Sequence, residues 1–168
     1  MKRLTKAFFK KEALDIAPSL LGKKLIRVID GIKQEYIITE VEVYLGEEDV
    51  ACHASKGRTD RTEVMYAEGG VIYVYLIYGM YWMLNFVTGK ENHPQAILIR
   101  ALENINGPGR VGKALHLDKS FYGEDLSTSN RMWVEDNLQD VGYTTTPRVG
   151  INYASEEWRN KPWRFVLK

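Results

Sequence analysis

The stretch Tyr73-Val74-Tyr75-Leu76-Ile77-Tyr78-Gly79-Met80-Tyr81-Trp82 decides how this chain is read. It sets five aromatic rings around one glycine, in a composition of β-branched and aromatic residues that favours strands. Residues 73–77 and 81–87 therefore read as two strands meeting at Tyr78-Gly79. Period two puts Tyr73, Tyr75 and Ile77 on one face and Val74, Leu76 and Tyr78 on the other. A tyrosine at an exposed hairpin tip is costly to leave in water and suits a wedge between stacked bases. The competing reading is that all these rings fill a β core. Tyr73 and Trp82 fit that reading; Tyr75 and Tyr78 fit the wedge.

Outward from this hairpin, Lys24–Ile29 and 36–45 read as strands joined by the turn dipeptide Asp30-Gly31, and 96–102 as another. Short strands are also expected at 148–151 and 164–167. Helical spacing over 8–21, with Gly22 as a stop and Pro18 as an irregularity, predicts an N-terminal helix. Gly107-Pro108-Gly109-Arg110 opens a second short helix, and 124–134 is a third candidate. Residues 46–70 form a polar connection too long for a turn, and long ordered loops tend to carry function.

A length of 168 residues implies one domain, 1–168, with enough volume for a sizeable core. The basic start, Met1-Lys2-Arg3-Leu4-Thr5-Lys6, is followed by no apolar segment of signal-peptide type, and no run reaches membrane-spanning length. The single cysteine, Cys52, excludes an intramolecular disulfide and sets a reducing, cytoplasmic compartment as the expectation. A formal charge of +1 neither demands nor excludes a nucleic-acid partner, so the placement of charge matters more. Basic groups cluster at Lys56, Arg58 and Arg61, at Arg110 and Lys113, and at Arg159, Lys161 and Arg164. Each cluster reads equally as a solvated face. His53, His93, His116 and Cys52 lack the paired spacings of a zinc site, so no metal is expected.

On strand 36–45, period two puts Ile38, Glu40, Glu42 and Tyr44 on one face and Thr39, Val41 and Val43 on the other. Two carboxylates beside a tyrosine describe either a polar sheet edge or a base catalyst. His53 lies within reach of the strand's end and can hydrogen-bond the edge of a heteroaromatic ring; a structural histidine is the plainer alternative.

With these residues in view, the chain resembles the alkyladenine, or 3-methylpurine, DNA glycosylases. The resemblance is carried by Glu40-Val41-Glu42-Val43-Tyr44-Leu45-Gly46, Glu48-Asp49-Val50-Ala51-Cys52-His53, Arg61-Thr62-Glu63-Val64-Met65 and the hairpin run itself. It extends through Asn85, Leu98-Ile99-Arg100-Ala101-Leu102-Glu103, Gly107-Pro108-Gly109-Arg110 and Pro147-Arg148-Val149-Gly150-Ile151. It implies an α+β fold: a single mixed domain with a curved antiparallel sheet, flanking helices and a protruding hairpin that enters DNA.

By the same resemblance Glu42 is the general base that activates water, and Arg100 supports the water and the DNA backbone. Tyr44, His53 and Tyr75 enclose the flipped base. Asn85 obstructs the amino group of normal guanine, Tyr78 intercalates, and Met80 is its hairpin neighbour. Arg58, Arg61, Arg110 and Lys113 are candidates for backbone contacts. The implied partner is double-stranded DNA containing damaged purines, met by a monomer with no cofactor. The implied reaction is hydrolytic removal of 3-methyladenine, 7-methylguanine, hypoxanthine or ethenoadenine, leaving an abasic site uncut.

Two local departures stand out. Ala67-Glu68-Gly69-Gly70 replaces a proline-bearing turn, which predicts a less rigid approach to the hairpin. Trp82 is bulkier than expected, and a change in the depth of the pocket or in the range of bases accepted is anticipated from it. A non-catalytic binder of damaged bases would keep Tyr75, Tyr78 and His53 without needing Glu42. A free-nucleoside hydrolase would have little use for an exposed Tyr78.

Overall fold

The structure, a computed structural model, describes residues 2–168; Met1, where the basic N-terminal stretch begins, lies outside them. The strands are β1 (Lys2–Arg3), β2 (Lys24–Ile29), β3 (Ile32–Leu45), β4 (Ile72–Ile77), β5 (Tyr81–Thr88), β6 (Gln95–Leu102), β7 (Ile105–Asn106), β8 (Met132–Asp136), β9 (Tyr143–Thr146) and β10 (Arg164–Leu167). The helices are α1 (Lys6–Phe9), α2 (Ala13–Leu20), α3 (Pro108–Ala114) and α4 (Glu156–Arg159). Antiparallel pairing runs in the order β1-β8-β2-β3-β6-β5-β4, with β10 beside β3, β9 beside β10 and β7 beside β6. This is the α+β architecture expected.

Asp30 and Gly31 adopt φ of 51° and 76°, the left-handed pair of a type I′ turn, so β3 starts at Ile32 and runs well ahead of the predicted 36. Its first half pairs with β2; its second half lies between β6 and β10. The β3–β6 register steps from Ile38↔Leu102 to Glu40↔Ala101 to Val41↔Ile99. Thr39 is thus an extra residue on β3 and Arg100 an extra residue on β6. Such bulges bend a sheet and re-aim side chains. The first also corrects the period-two reading: the inserted Thr39 reverses the alternation, and Ile38 joins Val41 and Val43 in the hydrophobic core.

Three other expectations change. The predicted helix over 8–21 is two helices. Between them the Phe9 carbonyl accepts from the Gly89 amide, and the Ala13 amide donates to the Gln95 side chain. Residues 124–134 are not helical: the Asp125 carboxylate caps the amide and hydroxyl of Ser127, and the Ser129 hydroxyl accepts from Arg131 and Met132. These local bonds compete with a helix, and the chain enters β8 instead. The strand expected at 148–151 lies at Tyr143–Thr146, since Pro147 offers no amide and Gly150 sits at φ 77°.

β4 and β5 pair through Ile77↔Tyr81, and the Met80 amide closes the turn on the Ile77 carbonyl at 3.1 Å. Tyr78 and Gly79 both hold positive φ, 53° and 65°, so the turn twists with the hairpin. α3 lies flat on the hairpin root: a Cβ on Gly112 would stand 1.9 Å from the Trp82 carbonyl oxygen. The 67–70 turn is tied down as well. Gly69 and Gly70 donate to the Gly89 and Val87 carbonyls, and a Cβ on Gly69 would meet the Phe9 oxygen at 2.1 Å. Close packing and two ladder bonds replace the restraint expected from proline.

Candidate active site

Glu42 sits mid-strand, opposite Leu98 on β6 and Arg164 on β10, and its side chain is fully buried. Burial is tolerated because both oxygens are hydrogen-bonded. The Tyr44 hydroxyl donates to Oε1 at 2.9 Å and the Val149 amide to Oε2 at 2.7 Å. Desolvation pushes the Glu42 carboxyl above its ordinary acidity; the Val149 amide, the Arg100 and Arg164 charges and the Tyr44 hydroxyl oppose it. The Tyr44 phenol, itself buried against this carboxylate, is pushed well above its usual value and remains a donor.

The second carboxylate of the face is treated differently. Glu40 accepts from Arg100 Nε at 3.1 Å and from Arg164 Nε, so two guanidiniums neutralise it. Arg100 Nε stands 4.0 Å from the nearer Glu42 oxygen. The bulge that makes Arg100 the extra residue of β6 is what sets it beside both carboxylates. Glu42 thus faces a cavity while Glu40 anchors cations.

That cavity has a volume of about 380 Å³, within the range of small-ligand sites. Tyr44, His53, Tyr73, Tyr75 and Asn85 wall it, Glu42 and Arg100 lie in it, and Tyr78 stands at its lining with 83% of its surface exposed. His53 opens a 3₁₀ turn within the long 46–70 connection, and its Nδ1 is 2.8 Å from the Tyr73 hydroxyl. Its ring meets Tyr75 edge-on at 4.5 Å between centroids. Burial, helped by the charges of Arg61 and Lys56, pulls the imidazole down to about 4, so it is neutral at physiological pH. Asn85 is held by a bond from Nδ2 to the Tyr73 carbonyl, 3.2 Å long.

Tyr44, His53, Tyr75 and Asn85 converge on this cavity with Glu42, Arg100, Tyr78 and Arg61; Met80, Arg58, Arg110 and Lys113 do not line it. Met80, 65% exposed, borders a separate groove with Trp82, Gly109 and Lys113. Trp82 packs on the main core and that groove, and its neighbours Met83 and Asn85 carry the cavity face. The anticipated effect of Trp82 on pocket depth is therefore not realised, because strand alternation turns it away. Arg110 and Lys113 are exposed on α3. Arg58 is engaged by both Glu63 oxygens and by Asn92, while the Arg61 guanidinium lies 5.1 Å over the Tyr75 ring.

Tyr73, read from sequence as core, is buried as expected but also orients His53. Tyr153, whose hydroxyl donates to the Ala51 carbonyl, gave no signal in the sequence, and Val149 stood in a recognised stretch without a role for its amide. Cys52 is buried with its thiol pushed up to about 12, which leaves it inert as a nucleophile. Among the described residues no group of three or more His, Cys, Asp or Glu side chains has metal-site geometry, and no helix is long and apolar enough to cross a membrane.

The sequence matches the family model described as methylpurine-DNA glycosylase over residues 7–106 and 103–168. The chain belongs to the methylpurine-DNA glycosylase family. Curated relatives agree along their whole length. A protein of Legionella pneumophila (strain Corby), named "Putative 3-methyladenine DNA glycosylase", is 42% identical over 177 residues, covering 100% of this chain and 96% of its own. Relatives bearing the same name are 40% identical in Desulfitobacterium hafniense (100% of this chain, 96% of its own) and 43% in Borrelia garinii subsp. bavariensis (96% and 94%). Membership in the methylpurine-DNA glycosylase family makes the chain a DNA glycosylase and DNA its substrate.

Proposed function

We propose that this glycosylase flips alkylated or deaminated purines out of duplex DNA into the 380 Å³ cavity and hydrolyses their N-glycosidic bond, with Glu42 as general base. The observation that carries this reading is a fully buried carboxylate at an aromatic-walled cavity, with an exposed tyrosine at the tip of the adjoining hairpin. Extrusion costs a few kcal/mol, least for a poorly stacked lesion. Tyr78 fills the gap left in the duplex, and stacking on Tyr44 and Tyr75 returns roughly 1–3 kcal/mol per base. A methylated purine is already cationic, which strengthens its attraction to these rings and makes it a good leaving group.

In the chemical step the bond from C1′ to the purine nitrogen breaks, its electrons leave with the base, and the sugar becomes oxocarbenium-like. Water attacks C1′ while Glu42 takes its proton. An alkylated base departs neutral, a neutral lesion such as hypoxanthine leaves as an anion that takes a proton from solvent, and the product is an abasic site with the strand intact. Arg100 and Arg164 hold charge beside the site, and Asn85 screens the edge of the base. Neutral His53 hydrogen-bonds the lesion. Everything the reading needs is present in one chain, so the enzyme acts as a monomer on 3-methyladenine, 7-methylguanine, hypoxanthine and ethenoadenine.

Single-turnover base release from duplexes carrying 1,N6-ethenoadenine, hypoxanthine or 7-methylguanine tests the reading, with wild type beside Glu42→Gln. Removal of a general base is expected to slow release by about 10²–10⁴-fold with lesion binding retained. Tight lesion binding without release by the wild type would identify a non-catalytic damage binder instead. Hydrolysis of free methylated nucleoside as fast as of duplex would remove the role given to Tyr78.

A further inference from the structure

Asp49 and Arg148 form an ion pair whose side chains are both fully buried. Arg148 Nη1 and Nη2 reach the two Asp49 oxygens at 2.6 and 3.0 Å, and they also donate to the Val43 and Trp158 carbonyls. Asp49 accepts in addition from the Leu45 and Ala51 amides. One pair therefore joins the end of β3, the segment leading into His53 and the 148–158 connection.

Its position is what gives it meaning. The Arg148 guanidinium lies 4.9 Å over the Tyr44 ring, and the next residue along the chain is Val149, whose amide binds Glu42. Tyr44 and Val149 are the two donors on the Glu42 oxygens, and Arg148 touches the first and precedes the second. On the far side of Asp49, Ala51 also accepts the Tyr153 hydroxyl, two residues before His53. Arg148 Nε, meanwhile, is buried with no hydrogen-bond partner. A buried ion pair is a weak source of stability, and an unmet donor makes it weaker. Its geometry is accounted for by alignment.

We propose that the Asp49–Arg148 pair is the positioning device of the active site, holding the Tyr44 hydroxyl and the Val149 amide on Glu42 and fixing the approach of His53. The proposal rests on Glu42 being the base. Loosening the pair withdraws donors that favour the ionised carboxylate, while Arg100 on β6, Arg164 on β10, Tyr75 on β4 and Tyr153 on the 149–153 loop still face it. The Glu42 acidity then weakens further, and activity requires a higher pH.

Arg148→Lys keeps the charge but cannot grip both Asp49 oxygens and two carbonyls at once. Asp49→Asn/Arg148→Met removes both charges together, so no lone charge is left buried. Each variant is compared with wild type and Glu42→Gln for folded fraction, lesion-duplex affinity and single-turnover excision of 7-methylguanine across pH. Both are expected to fold and bind, to excise on the order of 100-fold more slowly at neutral pH, and to show an acid limb displaced to higher pH. Excision at the wild-type rate, or a loss matched by the unfolded fraction with the acid limb unmoved, overturns the proposal while Glu42→Gln stays inert. If Glu42→Gln excises like wild type, the base assignment fails and the proposal falls with it.

Discussion

Burial displaces two titratable groups of the cavity in opposite senses, the Glu42 carboxyl upward and the His53 imidazole downward to about 4. Both shifts disfavour charge, and only Glu42 has donors placed to resist it. The consequence for stability is specific in sign. An unfolded chain releases the Glu42 proton first as pH rises, so the folded state's relative advantage is present below the ordinary value of 4.5 and lost as pH passes through the raised folded value. Glu42→Gln, which never ionises, is therefore expected to gain stability relative to wild type as pH rises above 4.5 while losing excision. Urea unfolding of the two proteins at several pH values measures the gap; a gap that narrows with rising pH would contradict the raised acidity constant. His53 acts in the reverse sense. Neutral in the fold, it contributes stability above its ordinary 6.5 that is lost as pH falls toward 4. Residues were legible in the sequence where the proposed role is a side chain's chemistry, as with Glu42, Tyr44 and His53, which the fold brings to one cavity. Val149 was not, because an amide donor is common to every residue but proline.

In the proposed reading the hairpin β4–β5 carries substrate recognition, and its tip is built at some cost. A tyrosine in the left-handed region is strained by about 1–2 kcal/mol, and Tyr78 is also exposed, so neither backbone preference nor burial accounts for it. Tyr78→Gly is expected to leave stability unchanged or raise it by about 1 kcal/mol, as read by thermal melting. The same change should weaken lesion-duplex binding roughly ten- to hundredfold by removing one stacking interaction, as read by fluorescence anisotropy. Loss of stability together with unchanged affinity would mean that Tyr78 serves the fold. Elements were readable from sequence wherever period two or a turn dipeptide governs them, as at Asp30-Gly31 and along 73–87. They were misread where bonding is irregular: Thr39 shifts parity by bulging, and Asp125 and Ser129 divert 124–134 from a helix. Arg148 is drawn inward by Asp49, a partner nearly a hundred positions away that no local pattern reveals.

At the scale of the molecule, a net charge of +1 makes DNA binding depend on where individual cations stand. Arg61, over the Tyr75 ring, makes no ion pair among the described residues, whereas Arg58 is held by Glu63. Arg61→Ala is expected to weaken binding to undamaged duplex and to reduce the slope of log K against log salt by about one unit. Arg58→Ala should leave that slope unchanged, and titrations at several salt concentrations distinguish the two. The sheet order has a consequence for how the enzyme comes into being. β3 is flanked on one edge by β10, and the Glu40–Arg164 contact spans 124 positions of sequence. On the ribosome the strand bearing Glu42 emerges long before Val149 or β10 has been made. Until they arrive its carboxylate lacks the Val149 donor and the Arg164 charge, so under the proposed function a chain stalled in translation has an unfinished base, and the genome meets the activity only as a finished fold.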